Sequence, residues 1–176
     1  DQAQYVHESL VRGNSAFFQS TSIITVEHQE SLFKWGVPSH TWALCYQKSR
    51  HRGNSKVFHN NCDKAGPTVV VMQLSTSHVI GGYWPEEWNS EAEWKSHPKT
   101  FLFSLTNNFK HKPRKKTHHV FDAPTHGPSF GAGFDLTVGE DMKSGYCNIG
   151  HSFKCRNGTE RCRQDFCGTD KKWTIV

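Results

Sequence analysis

Six cysteines constrain the fold of this chain more than any other feature of its sequence. Four of them fall between positions 147 and 167, and two stand apart upstream. An even number of cysteines with a tight cluster is typical of disulfides that form in an oxidising compartment. We therefore predict a secreted, extracellular protein held by disulfides among Cys45, Cys62, Cys147, Cys155, Cys162 and Cys167.

The pairing of these cysteines stays open at this point. If the four late cysteines pair among themselves, Cys45 is left to Cys62, but the order within the cluster is not fixed. A structural zinc site is the alternative, and it expects short knuckles, a spacing that only Cys162 and Cys167 have. Asn157 begins an Asn-Gly-Thr glycosylation sequon, which agrees with secretion without settling whether it carries a glycan.

Length, charge and hydropathy narrow the class of protein further. The 176 residues suffice for one domain, which we assign to 21–176, with 1–20 as an N-terminal tail or peripheral strand. A net charge of +5 is modest for a nucleic-acid binder, so we expect no nucleic-acid partner. No apolar run is long enough to span a membrane. The start at Asp1 without a leader suits a mature secreted chain, or simply a trimmed one.

The order of short apolar runs predicts a mainly β, α+β fold. Residues 26–35 have a helix pattern that ends at Gly36 and Pro38, and Asn54 caps a second short helix. β-rich runs bounded by turn residues lie at 41–47, 68–74, 78–84, 100–106, 118–122, 134–138 and 172–176. Many strands with two early helices predict an antiparallel β-sandwich with flanking short helices.

Four linked motifs resemble the TLDc domain family. In chain order they are FHNNCDKAGPTVVVM, IGGYW, FLFSLTN and GPSFGAGFDL, and the similarity runs from about residue 21 to the end. The resemblance implies a β-sandwich flanked by helices and no established catalytic residues, so we expect no enzyme activity.

The resemblance also supplies an alternative function. Intracellular TLDc proteins are associated with oxidation resistance and with binding the proton-pumping vacuolar ATPase. A non-catalytic protein-interaction module of that type is therefore the alternative to an extracellular role. The cysteine cluster in the last third departs from those proteins and looks like an extracellular, cysteine-rich variant of the family.

The last of the four motifs also contains a possible serine nucleophile. GPSFG matches G-x-S-x-G around Ser129, a pattern that marks a nucleophile only where a strand ends and a helix starts. Here Gly131 and Gly133 are followed by the alternating apolar residues of a strand. We therefore interpret Ser129 as a small turn residue, with a serine hydrolase as the alternative.

The chain is also similar to secreted sea-anemone lectins that bind galactose through calcium. This second resemblance implies a lectin that recognises terminal galactosides of glycans and requires Ca²⁺. Lectins gain avidity from multiple sites, so we expect a homodimer.

Two acidic loops are the candidate sites for sugar and metal. The loop at 81–94, GGYWPEEWNSEAEW, combines indoles with carboxylates, which suits a sugar whose C–H face packs on a ring. Its predicted ligand-binding residues are Trp84, Trp88, Glu86, Glu87 and Asn89. The loop at 139–148 offers the oxygen ligands that calcium prefers, and its predicted metal ligands are Glu140, Asp141 and Asn148. The alternatives are a structural role for Trp88 and ordinary solvated turns in both loops.

A basic stretch, FKHKPRKKTHH at 109–119, contains five lysine or arginine residues and three histidines. Such a run is able to bind heparin-like chains or nucleic acid by neutralising sulfate or phosphate. Aromatic residues are nearly absent from it, which disfavours the recognition of single strands. We interpret it as a solvated hairpin.

Overall fold

The computed structural model describes residues 4–8, 23–39, 42–156, 158, 161–170 and 172–176. Within these residues the helices are α1 (Val26–Trp35), α2 (Lys48–His51), α3 (Ser55–Cys62) and α4 (Cys162–Cys167). The strands are β1 (Gln4–Glu8), β2 (Trp42–Gln47), β3 (Thr68–Gln73), β4 (Val79–Trp84), β5 (Glu93–Lys95), β6 (Phe101–Ser104), β7 (Phe109–His111), β8 (Val120–Asp122), β9 (Ser129–Phe130), β10 (Leu136–Val138), β11 (Ser144–Tyr146) and β12 (Trp173–Thr174).

The strands form two antiparallel sheets that pack face to face. The first sheet has the order β2-β1-β3-β4-β6-β7 and the second has the order β12-β11-β10-β9-β8-β5. The predicted antiparallel β-sandwich with flanking short helices is therefore confirmed. Gln4–Glu8, from the predicted tail or peripheral strand, pairs with both β2 and β3 and so lies inside the sheet. The rest of residues 1–20 lies outside the described residues.

The two predicted helices begin where their N-cap residues place them. The Thr25 hydroxyl accepts a hydrogen bond from the backbone N–H of His28, and α1 ends at Gly36, whose φ of +112° favours glycine. The Asn54 side chain likewise caps α3 by accepting from the N–H of Lys56. Among the described parts of the chain, no helix has the length and apolar character needed to cross a membrane.

The central strands of the first sheet are buried on both faces, whereas the outer face of the second sheet is only partly covered, with Ser129 and Thr137 buried and Tyr146 exposed. In β3, Val70 and Met72 belong to the core between the sheets, and Val69 and Val71 belong to a second core with Leu32 of α1. This burial explains the continuous apolar run of β3, because successive side chains of a strand point to opposite faces. The outer face of the second sheet is left free of a covering helix in the described structure, and the candidate site lies there.

All six cysteines pair within the chain. Cys45 pairs with Cys62, which ties β2 to α3. Cys147 pairs with Cys167, and Cys155 pairs with Cys162, so the late cluster is linked within itself. The predicted disulfides are confirmed, and this pairing leaves no cysteine for a zinc site. The sequon residue Asn157 lies outside the described residues.

His111 makes the stability of the fold dependent on pH. Its ring is only 2% exposed, and it packs against Phe109 and Phe166. Burial lowers its pKa to about 4, although a hydrogen bond to the carbonyl of Lys154 opposes the shift. In the unfolded chain a histidine has a pKa of about 6.5. Between these two values the unfolded chain binds the additional proton, so stability is full above about pH 6.5 and falls toward pH 4.

We expect His111 to contribute roughly 3 kcal/mol to the acid destabilisation between pH 6.5 and 4, at about 1.4 kcal/mol per pH unit. Urea unfolding curves at half-unit pH steps measure this slope directly. The variant His111→Gln removes the titrating group, so its slope should be flatter by about that amount even if its overall stability is lower. An equally steep slope in the variant would show that other groups cause the acid sensitivity.

Candidate functional site

The outer face of the second sheet carries a row of side chains from five strands. Residues that lie directly opposite one another in neighbouring strands point to the same face. β5 pairs with β8, β8 with β9, β9 with β10, and β10 with β11. This succession places five residues in the row, namely Trp94, Phe121, Ser129, Thr137 and Tyr146. Their strand neighbours Val120, Phe130 and Leu136 point into the core and are fully buried.

Two further rings complete what we call the aromatic patch: Trp94, Phe121, His126, Phe134 and Tyr146. The ring centroids of Trp94 and Phe121 are 4.8 Å apart, and Phe134 lies 6.0 Å from Phe121 and 6.2 Å from Tyr146. His126 stacks on Phe134 at 5.7 Å with an interplanar angle of 6°. Tyr146 is 37% exposed and the other four are half-buried, so the patch faces solvent.

The backbone of Phe134 is unusual for a bulky residue. Its φ is +52°, in the left-handed region that favours glycine. The turn that follows Gly131 holds this conformation, since the N–H of Phe134 donates to the Gly131 carbonyl at 2.8 Å. Such strain costs about 1–3 kcal/mol and persists only where the surrounding structure enforces it. Here it places the Phe134 ring between Phe121 and Tyr146.

A small cavity of about 180 Å³ adjoins the Tyr146 end of the patch. Its walls include Thr125, His126, Thr137, Glu140, Tyr146 and Lys172. The Glu140 carboxylate is exposed and makes no hydrogen bond or ion pair with the described residues. The Tyr146 hydroxyl is a neutral donor at neutral pH, and partial burial raises its pKa further above the ordinary value. The cavity thus joins one aromatic face to several separate polar groups, a combination typical of small-ligand sites.

The predicted sugar-stacking tryptophans are not part of this surface. Trp84 is 1% exposed and Trp88 is 0% exposed, and both lie in the core between the sheets. The indole N–H of Trp88 donates to the Thr68 hydroxyl at 2.8 Å. Neither indole presents a face to solvent, because each ring packs against other core rings, and this geometry corrects the predicted stacking role. The structural alternative for Trp88 fits its position.

The other predicted sugar ligands separate into two groups. Glu86 and Glu87 have exposed side chains, and a Glu86 oxygen lies 3.5 Å from Nε2 of His97. Asn89 instead belongs to an internal network, since its Oδ1 accepts a hydrogen bond from Nζ of Lys95 at 2.6 Å. The loop at 81–94 therefore does not bring its indoles and its polar groups to one surface.

That internal network contains a cluster of metal-ligand type, formed by His59, Asp63 and Asp122. Nδ1 of His59 lies 2.7 Å from an Asp63 oxygen and 3.9 Å from an Asp122 oxygen. The Lys95 ammonium lies 2.7 Å from the other Asp122 oxygen, and Asp122 also accepts from the N–H groups of Asn89 and Ser90. Lys95 thus places a positive charge beside Asp122, and the hydrogen bonds from Asn89 and Ser90 attach the loop at 81–94 to β8.

The predicted calcium ligands do not converge on one point. The Asp141 carboxylate accepts from the N–H groups of Lys143 and Ser144. Burial alone raises the pKa of Asp141, but these hydrogen bonds bring it below its ordinary value. Asn148 donates to the Gly133 carbonyl, accepts from Arg163 and lines a different cavity from Glu140. The three residues therefore do not fit a shared calcium site in this geometry.

Ser129 is enclosed rather than presented to a substrate. Its side chain is buried, and its hydroxyl donates to the Gly127 carbonyl at 3.0 Å and lies 2.6 Å from the Thr137 hydroxyl. It lies in β9, and the chain continues through a turn into β10. The surroundings differ from a nucleophile elbow, which needs a helix directly after the serine.

A family model described as the TLDc domain matches residues 17–167. The chain belongs to the TLDc domain family. The matched range contains all six cysteines and ends at Cys167, so the three disulfides lie within the TLDc domain itself. A search of curated proteins finds no match to the chain.

Sequence reasoning missed most of the aromatic patch of this TLDc domain. Phe121 lies between Val120 and Asp122, and because the structure buries both of these residues, the Phe121 side chain points to the opposite face. Trp94 and Tyr146 similarly lie in three-residue strands that no apolar run marks. Only the pairing of five strands reveals that these rings share one face.

Proposed function

We propose that this TLDc domain protein is an extracellular lectin that binds terminal galactosides at the aromatic patch. The observation that carries the proposal is the exposed ring of Tyr146 beside a cavity with polar walls. A cavity that combines an aromatic face with a few polar groups is typical of binding sites in soluble proteins. The disulfides support an oxidising compartment, and the choice of galactose rests on the resemblance to sea-anemone lectins.

The cavity offers a specific mode of sugar recognition. Its volume of about 180 Å³ is below the roughly 300–1,000 Å³ of pockets for drug-sized ligands, which suits one terminal monosaccharide. The ring of Tyr146 provides an apolar face for the C–H side of a pyranose. The Glu140 carboxylate accepts from sugar hydroxyls, and Lys172 and the hydroxyl of Thr125 provide donors.

Calcium dependence is a separate part of the proposal. Of the predicted ligands, Glu140 alone keeps its carboxylate free of the described residues, while Asp141 and Asn148 are engaged in local hydrogen bonds. We therefore propose that Tyr146 and Glu140 recognise the sugar directly, without a bound ion. Calcium remains a prediction that chelation tests.

The test is titration calorimetry with lactose, in calcium and again after EDTA, on the wild type and on Tyr146→Ala. We expect the variant to bind lactose roughly tenfold more weakly, because losing an aromatic face costs about 1.5 kcal/mol. Val26→Ala is the matched control, since Val26 is an exposed apolar residue on α1. If lactose binding persists in EDTA but is lost in Tyr146→Ala, the protein is a lectin that does not require calcium.

If lactose gives no heat of binding in either buffer, the galactoside proposal is wrong. The aromatic patch would then favour the second candidate, a non-catalytic protein-interaction module, because aromatic rings are enriched in protein interfaces.

A homodimer is part of the lectin proposal because two sites would increase avidity for clustered glycans. Light scattering across a concentration series measures that association directly, and a monomer at every concentration would exclude it.

A further inference from the structure

A second cavity lies beside the basic stretch at 109–119, which begins with β7. Its volume is about 560 Å³, and none of its lining residues belongs to the aromatic patch. The charged and titratable residues that line it are Lys99, Lys110, Lys112, Lys115, Lys116 and His119. The segment between β5 and β6 forms one wall, and β7 together with the segment between β7 and β8 forms the other. The predicted solvated hairpin therefore encloses a concave surface.

The positive charge of this cavity is not balanced by carboxylates. No aspartate or glutamate is among its lining residues. Across the described parts of the chain, none of the five lysines forms an ion pair with a carboxylate within 4.0 Å. Burial lowers the pKa of Lys110, and the charge of Lys112 lowers it further, which indicates repulsion between neighbouring ammonium groups. An anion in the cavity would relieve that repulsion.

Two of the lysines are held in place and three are available. The Lys110 ammonium donates to the Trp35 carbonyl and lies 4.3 Å from the centre of the Phe101 ring. Nζ of Lys115 lies 3.2 Å from a ring nitrogen of His151. The ammonium groups of Lys99, Lys112 and Lys116 make no hydrogen bond to the described residues, so their donors are free for a ligand.

We propose that this lysine-lined cavity binds a segment of a sulfated glycan. Several separate ammonium groups suit several sulfate groups spaced along one chain, whereas a single small anion would leave most of the volume and charge unused. The lining residues include no phenylalanine, tyrosine or tryptophan on which a base could stack, which favours a sulfated sugar over a single-stranded nucleic acid. This site is separate from the proposed galactoside site and goes beyond it.

Calorimetry with a heparin-derived hexasaccharide tests the proposal on the intact protein. We expect Lys112→Gln combined with Lys116→Gln to weaken binding roughly tenfold, because both ammonium groups contribute charge to the cavity. The slope of log affinity against log salt should decrease by about two, one for each lost contact. The matched control is Lys56→Gln combined with Lys64→Gln, which removes the same charge from one exposed lysine in α3 and one in the turn after it.

Three results would overturn the proposal. One is an equal loss of affinity in the control pair, which would mean that only net charge matters. Another is undiminished binding of the chemically desulfated hexasaccharide. The third is a finding that single-stranded DNA of matched charge binds as tightly as the hexasaccharide and loses as much affinity in Lys112→Gln/Lys116→Gln. Lactose titrations on the same variant should be unchanged, so failure at one site is distinguishable from failure at the other.

Discussion

Gly81→Ala is expected to lower the free energy of unfolding by more than about 3 kcal/mol, a large fraction of the total for a domain of this size. A Cβ atom at Gly81 would lie 1.8 Å from the Val70 carbonyl oxygen and 2.6 Å from the Phe103 ring. The first of these atoms is backbone in the paired strand β3, so it cannot move without disturbing the ladder between β3 and β4. Urea unfolding followed by tryptophan fluorescence measures the loss.

Gly139→Ala is the control for this prediction. A Cβ atom there would lie no closer than 3.3 Å to another atom, and the turn after β10 is at the surface. We expect it to cost less than about 1 kcal/mol. If the two substitutions destabilised the protein equally, the short distance from position 81 to the Val70 carbonyl would not explain why glycine is required there. The glycine pair of the IGGYW motif would then need another explanation.

The fold could be predicted because its longest elements carry local signals. Val26–Trp35 has a capping threonine before it and a glycine after it, and β3 and β4 are apolar runs bounded by turns. The even number and clustering of the cysteines predicted disulfides, but only the structure gives their pairing. The short strands β5, β7, β9 and β11 had no such signal, because two or three residues are too few for a period.

The candidate site could not be predicted because it depends on which face of each strand is covered. Trp84 and Trp88 stand among carboxylates in the sequence, yet the second sheet covers them and leaves those carboxylates outside. Tyr146 lies 25 residues after Phe121 in the chain and joins its surface only through β9 and β10. Sheet topology, which composition does not show, decides which aromatic and acidic groups meet on one surface.

Asp135→Ala is the second substitution with a large expected effect. The Asp135 carboxylate is fully buried and accepts hydrogen bonds from the backbone N–H groups of Gly150, His151, Ser152 and Phe153. Burial raises its pKa, and these same hydrogen bonds oppose the shift. Removing the carboxylate leaves several backbone donors without an acceptor, and we expect a loss of about 4 kcal/mol in chemical unfolding experiments.

The comparison with Asp141→Ala separates this role from that of an ordinary turn carboxylate. Asp141 also accepts from two backbone N–H groups, but it is exposed, so water replaces it and we expect a loss below about 1 kcal/mol. Asp135 instead attaches the segment between Cys147 and Cys155 to the FGAGFDL motif, which the disulfides alone do not do. Hydrogen exchange should therefore quicken at residues 150–153 in Asp135→Ala before the sheets open. Unchanged protection there would mean that the disulfides suffice to hold the segment and that the motif aspartate has another role.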